Sequence, residues 1–154
     1  MFSTELIQKL DKITNQYDKR QAALLPVLHA VQDVHGFISP EIEKAVADYI
    51  GIPVVSVHQV VTFYHLFHQE KKGKCHFSVC QTTACALRGA DDVINHIEHK
   101  LGIKHGETTP DGKFSLTVVE CLGACEHAPA MQHNKDYVHC VTKQQIDEYI
   151  RNTK

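Results

Sequence analysis

Four of the six cysteines fall into two turns, Cys80-Gln81-Thr82-Thr83-Ala84-Cys85 and Cys121-Leu122-Gly123-Ala124-Cys125. Thiolates are soft donors, and four of them around one point select zinc or an iron–sulfur cluster over hard cations. Structural zinc sites most often place two residues between paired cysteines. Here the gaps are four and three residues, which open each loop wider than a zinc knuckle. The turn residues are small or offer free backbone N–H groups, which suits a cluster whose sulfides accept hydrogen bonds. The pattern therefore favours a 2Fe–2S cluster with one cysteine pair on each iron.

Each turn follows an apolar run that reads as a strand, 75–79 before the first and 115–120 before the second. Strands lying side by side would carry both turns to the same end of one sheet. A helix is expected over about 84–101, with Val93, Ile97 and Leu101 on its buried side and Gly102 ending it. After the second turn, 130–133 and 137–141 flank Asn134-Lys135-Asp136, a hairpin signal. Thr142 then caps a last helix carrying Ile146, Tyr149 and Ile150. The order β-α-β-β-β-α has the arrangement of a thioredoxin-like fold.

The first half reads as helical. Ser3 can cap a helix with Leu6, Leu10, Ile13 and Tyr17 on one stripe. A second helix is expected over about 20–35, with Leu24, Leu28, Val31 and His35 on one face and Gly36 as its stop. Pro26 within it implies a kink or a later start. Ser39-Pro40-Glu41 begins a third helix that ends at Gly51. The segment 54–61 is rich in valine, yet Val57, Val60, Val61 and Tyr64 fit a helical face, and it is read as helix. Lys71-Lys72-Gly73-Lys74 is a polar break and marks the expected boundary between domains 1–72 and 73–154.

The chain has 154 residues, of which 43% are apolar and 22% charged, an ordinary composition for a buried core. Its 16 Lys plus Arg against 18 Asp plus Glu leave −2 at pH 7, without the basic footprint of a nucleic-acid binder. No run of about 18 apolar residues predicts a membrane span. The N-terminal residues lack a basic and an apolar signal region, and Glu5 and Asp11 speak against a transit peptide. A cytosolic chain is expected, where clustered cysteines more often bind metal than form disulfides.

With these residues in hand, a family resemblance is evident. Cys80-x4-Cys85 followed by Ala86-Leu87-Arg88-Gly89-Ala90, then Val119-Glu120-Cys121-Leu122-Gly123-Ala124-Cys125 and Ala128-Pro129, closely resembles the thioredoxin-like 2Fe–2S subunits of respiratory complex I. In bacteria that complex is the NADH–quinone oxidoreductase. Leu25-Pro26-Val27-Leu28-His29, His35-Gly36, Ser39-Pro40-Glu41 and Thr62-Phe63-Tyr64 carry the likeness through the first half. It implies an α+β chain: an N-terminal helical bundle followed by a thioredoxin-like ferredoxin domain with one 2Fe–2S cluster on Cys80, Cys85, Cys121 and Cys125. It also implies docking on a flavoprotein subunit that binds FMN, NADH and a 4Fe–4S cluster, beside further iron–sulfur subunits. Such a chain would lie at the cytoplasmic face of the inner membrane through its complex. Related subunits serve NAD-linked hydrogenases and formate dehydrogenases.

NADH gives up a hydride, two electrons, whereas a 2Fe–2S cluster takes one, so a flavin must stand between them. No GxGxxG occurs here, which assigns the flavin and nicotinamide sites to the partner. Two rivals come from other classes. A zinc-stabilised interaction module would be colourless, where an oxidised 2Fe–2S protein is red-brown. A thiol–disulfide oxidoreductase would use C-x-x-C at a helix start, and the Cys80–Cys85 gap does not match.

The remaining candidates have plainer readings. Cys75 lies about 16 Å from Cys80 along an extended strand, and both Cys75 and Cys140 are expected to be small core fillers. His127, His133 and His139 crowd the second turn, but four cysteines already complete the shell, so they are expected at the surface or behind the ligands. Arg88 is an offset to an anionic cluster, a mark of the partner's surface, or a solvated helix charge. Ala128-Pro129 is placed where thioredoxin-like folds often keep a cis proline, with trans as the general default. Ser56, His58 and Gln59 on the fourth helix have no basic flanks and read as packing or partner surface.

Overall fold

Ser3 accepts a hydrogen bond from the Leu6 amide and starts helix α1, Thr4–Thr14, in the computed structural model, which describes residues 2–153. Such a cap is worth about 1 kcal/mol. Two compact units make up the chain, Met1–Lys71 and Lys72–Lys154. In the first, α1 ends before Tyr17, which is exposed rather than on the buried stripe. Pro26 marks a later start: a 3-10 turn over Arg20–Ala23 precedes α2, Leu24–His35, so the proline sits in the first turn, where its missing N–H breaks no helical bond. His35 at the end of α2 is exposed, contrary to its place on the expected stripe, because the core-facing row ends with Leu28 and Val31.

Helix α3, Pro40–Ile50, begins with the Ser39 cap and stops at Gly51; α4, Val54–Phe63, follows Pro53. Valine is a poor helix former in isolation, but here burial of Val57 and Val61 decides the conformation. The core of this unit gathers Leu6, Leu10, Leu28, Val46, Val57 and Val61. Glu43 is only 4% exposed, and His58 on α4 satisfies it with Nδ1 3.0 Å from a carboxylate oxygen. His58 thus ties α3 to α4.

The second unit is built on a four-stranded sheet in the order β2-β1-β3-β4, from β1 (Cys75–Cys80), β2 (Phe114–Val119), β3 (Met131–His133) and β4 (Asp136–Val138). Strands β1 and β2 run parallel, with Cys80 opposite Val119, while β3 and β4 are antiparallel. Alternation along β1 sends Cys75, Phe77 and Val79 into a core with Val93, Ile97 and Ile146. His76 and Ser78 take the opposite face, where His76 meets Ser115 Oγ at 2.7 Å and Ser78 Oγ at 3.1 Å.

The helix expected over 84–101 is two helices, α5 (Thr83–Leu87) and α6 (Ala90–Leu101). Gly89 between them has φ of +92°, a conformation that glycine alone adopts without a Cβ penalty, and the chain turns there. The hairpin turn is shorter than the three-residue signal: His133 pairs with Asp136, leaving Asn134-Lys135. Asn134 at φ +56° accepts from the His76 amide through Oδ1 at 2.8 Å, which ties the turn to β1. Helix α7, Lys143–Asn152, opens on a capping box between Thr142 and Gln145.

Candidate metal centre

Parallel pairing decides where the sulfurs go. Because Cys80 ends β1 opposite Val119, the end of β2, the chain leaves both strands at one edge and both cysteine turns start there. Gln81 N donates to the Val119 carbonyl at 3.0 Å, and Gln81 Nε2 donates to Glu120 at 3.1 Å, joining the two departures. From Cys80 the chain enters α5 at once, which returns Cys85 to the sulfur of Cys80. The second turn stays irregular until a short 3-10 segment at Cys125–His127, and brings the Cys121 and Cys125 sulfurs to 4.0 Å. Two sulfurs on one tetrahedral metal with bonds of about 2.3 Å stand about 3.8 Å apart, so this pair has the spacing of ligands to one ion.

The two pairs also feel one another: Cys125 lies within electrostatic reach of Cys80 and of Cys85. Cys80 and Cys85 are buried, at 2% exposure each, whereas Cys121 and Cys125 are exposed. Small apolar residues surround the buried pair, among them Ala84, Ala90, Ala124, Ala128 and Ala130. The site therefore has a dry side and a solvent side.

Hydrogen bonds set the character of the thiols. Burial pushes the Cys80 thiol up, but the Thr82 hydroxyl at 3.2 Å and the backbone N–H groups of Thr82 and Leu122 outweigh it and hold the thiol below its ordinary range. Cys85 moves the other way, raised by burial and by the neighbouring Cys80 and Cys125, with only the Ala130 N–H opposing. Cys125 is raised by the Cys121 sulfur beside it. Gly123 N donates to Cys121 Sγ at 3.3 Å. Crowded thiols beside N–H and O–H donors form a donor set suited to cationic metal. The sulfurs are arranged as two pairs, Cys80 with Cys85 and Cys121 with Cys125. Paired thiolates fit a binuclear cluster better than a single tetrahedral zinc.

A model of the family described as thioredoxin-like [2Fe-2S] ferredoxin matches residues 10–154. The chain belongs to that family. This ferredoxin is 42% identical over 130 residues to the E subunit numbered 2 of the NADH-quinone oxidoreductase of Rhizobium meliloti (strain 1021), covering 84% of this chain and 77% of that one. To the NADH-quinone oxidoreductase E subunit of Aquifex aeolicus (strain VF5) it is 40% identical over 149 residues, 97% of this chain and 93% of the other. A solved NAD+-reducing [NiFe]-hydrogenase shares the fold with a TM-score of 0.69 over 82% of this chain, at 19% identity and 22% coverage of the hydrogenase chain.

Some of the remaining residues stand where the sequence places them and others do not. Cys75 is buried, as a core filler should be, but it also meets His133 Nε2 at 3.1 Å. His133 packs on Tyr149 with ring centres 4.3 Å apart, at the far end of β3 from the cysteine turns. Cys140 is not a core filler. Strand β4 ends at Val138, the backbone at Cys140 takes a φ of +49°, and the side chain is exposed. His127 and His139 lie at the surface near the second turn with ring centres 4.7 Å apart. Arg88 is exposed at the end of α5, and Ala128–Pro129 is cis. Thr82, whose hydroxyl reaches Cys80, escaped sequence reading. Its place two residues after a candidate ligand and just before a helix was the available signal.

Proposed function

We propose that this chain is the 2Fe–2S subunit of an NADH–quinone oxidoreductase, respiratory complex I, carrying one cluster on Cys80, Cys85, Cys121 and Cys125. The observation that supports it most is the pairing of four sulfurs at the common end of two parallel strands, in a chain of this family. The two relatives named as E subunits of NADH-quinone oxidoreductases point to the host complex. When bound, the cluster supplies a one-electron couple. The chain's own residues hold the thiolates, donate hydrogen bonds to them through Thr82, Leu122 and Gly123, and exclude water from the Cys80–Cys85 side. The exposed Cys121–Cys125 side is the one a redox partner can approach.

FMN, NADH and a 4Fe–4S cluster are assigned to the partner flavoprotein, alongside further iron–sulfur subunits. No described helix is long and apolar enough to cross a membrane, so attachment to the cytoplasmic face of the inner membrane would come through the complex. Anaerobic mixing of the iron-replete chain with NADH is expected to leave it oxidised by EPR. Adding the FMN-loaded flavoprotein subunit should develop the reduced signal, and a flavin-depleted partner should not. Reduction without flavin would put a nucleotide site on this chain; no reduction with the loaded partner would defeat the complex I assignment.

The helical unit supplies no ligand, and a docking role is proposed for it. It exposes Val55 at 60% and Phe63 at 79%, large apolar side chains on and at the end of α4. A chain of residues 72–154 should keep the visible absorption and bind the flavoprotein more weakly, by about tenfold or more if those side chains act as anchors. Equal binding by the full and shortened chains would refute the docking role.

A further inference from the structure

Tyr137 stands on the edge strand β4, half-exposed, with its ring stacked 6.1 Å from that of His139. Its hydroxyl donates to the Leu122 carbonyl oxygen at 3.2 Å. That carbonyl belongs to the same planar peptide unit as the Gly123 N–H, and Gly123 N donates to Cys121 Sγ at 3.3 Å. One amide is therefore held at both ends, by a phenol on its oxygen and a sulfur on its hydrogen. A bond accepted at the oxygen draws density from the nitrogen and makes the N–H a stronger donor, by roughly 10–30% in hydrogen-bonded chains.

The side-chain side of Gly123 is open. A Cβ there would meet no atom within 4 Å, and its φ of +73° is one that permits the peptide to turn. The flanking Leu122, by contrast, is only 8% exposed and directs its own N–H at Cys80. Tyr137 thus reaches from β4 to the Leu122–Gly123 peptide of the second cysteine turn.

We infer that Tyr137 is a positioning residue for the metal centre, holding and polarising the Leu122–Gly123 peptide against Cys121 Sγ and so raising the reduction potential. The inference rests on Cys121 being a ligand, as proposed above. Reduction adds negative charge that spreads onto the thiolate sulfurs, so a stronger N–H donor favours the reduced form.

Tyr137→Phe keeps the ring and removes one hydroxyl. Potentiometric titration of the loaded full-length chain, read by EPR, should show the reduced-to-oxidised ratio falling about threefold at fixed ambient potential. For a one-electron couple this is a shift of about 28 mV downward. Replacing Tyr137 by 3-fluorotyrosine, a stronger donor, should move the potential upward, with iron and sulfide content unchanged in both chains. An unchanged potential in Tyr137→Phe, or shifts of the same sign in the two variants, overturns the inference. If Tyr137→Phe fails to retain its cluster, the fluorotyrosine chain decides alone: an upward shift upholds the role and any other result ends it. A wild-type chain lacking iron and sulfide would instead defeat the ligand assignment itself.

Discussion

Cys121→Ser and Cys125→Ser chains are expected to lose the cluster or to show a strongly altered reduced spectrum, while Cys75→Ser and Cys140→Ser chains keep it. Removing groups that merely orient a metal ligand already costs 10–100-fold in affinity or activity, so removal of a ligand should exceed ~100-fold. Cys121 and Cys125 stand 4.0 Å apart and within electrostatic reach of the Cys80–Cys85 pair, as the proposed two-by-two ligand set requires. Cys75 begins the strand that Cys80 ends, and faces the other side of the sheet beside His133. Cys140 is exposed, with its amide bound to the His127 carbonyl at 2.8 Å. Iron and sulfide analysis with low-temperature EPR reads all four chains. A normal spectrum from Cys121→Ser, or a colourless Cys75→Ser, would overturn the ligand set.

The elements with strong local signals were legible from the sequence: Ser3, Ser39 and Thr142 each cap the helix they were expected to start. So was the common end of the two strands, because an apolar run before each turn leaves few ways to pair them. What escaped depended on contacts distant in sequence. Cys140 fits strand alternation, and only the early end of β4 and the left-handed backbone turn it to solvent. The expected helix over 84–101 rests on Val93, Ile97 and Leu101, all beyond Gly89, and Gly89 breaks it so that α5 can return Cys85 to Cys80. Thr82 and Tyr137 carry no motif of their own. Their roles come from hydroxyls meeting, respectively, a sulfur two residues away and a carbonyl fifteen residues away. Periodicity reports burial well, but it is silent on such pairings.

Gly73→Ala should destabilise the second unit far more than a linker substitution would. In sequence, Gly73 belongs to a polar break, where alanine is usually harmless or slightly stabilising. In the structure a Cβ there would lie 2.5 Å from the Phe114 carbonyl carbon, 2.7 Å from its nitrogen and 2.8 Å from its Cα. All three are backbone atoms at the start of β2, and no side-chain rotation relieves them. The Gly73 amide also donates to Ser115 Oγ at 3.0 Å, and Cys75 N donates to the Lys113 carbonyl at 2.8 Å, so retreat would loosen the start of the parallel pair. Overpacking of this kind costs about 2 kcal/mol or more. In a unit of this size that lowers the melting temperature by roughly 8–16 °C. Gly112→Ala is the control: it meets open space and suffers only from its φ of +69°, a penalty of about 1 kcal/mol. Thermal melts of the three loaded chains, followed by circular dichroism and by visible absorption, test the ranking. Because Gly73 lies at the opposite end of β1 from Cys80, the absorption of Gly73→Ala below its transition should match the wild type. A Gly73→Ala chain that melts with the wild type would show that this backbone approach is looser than 2.5–2.8 Å implies.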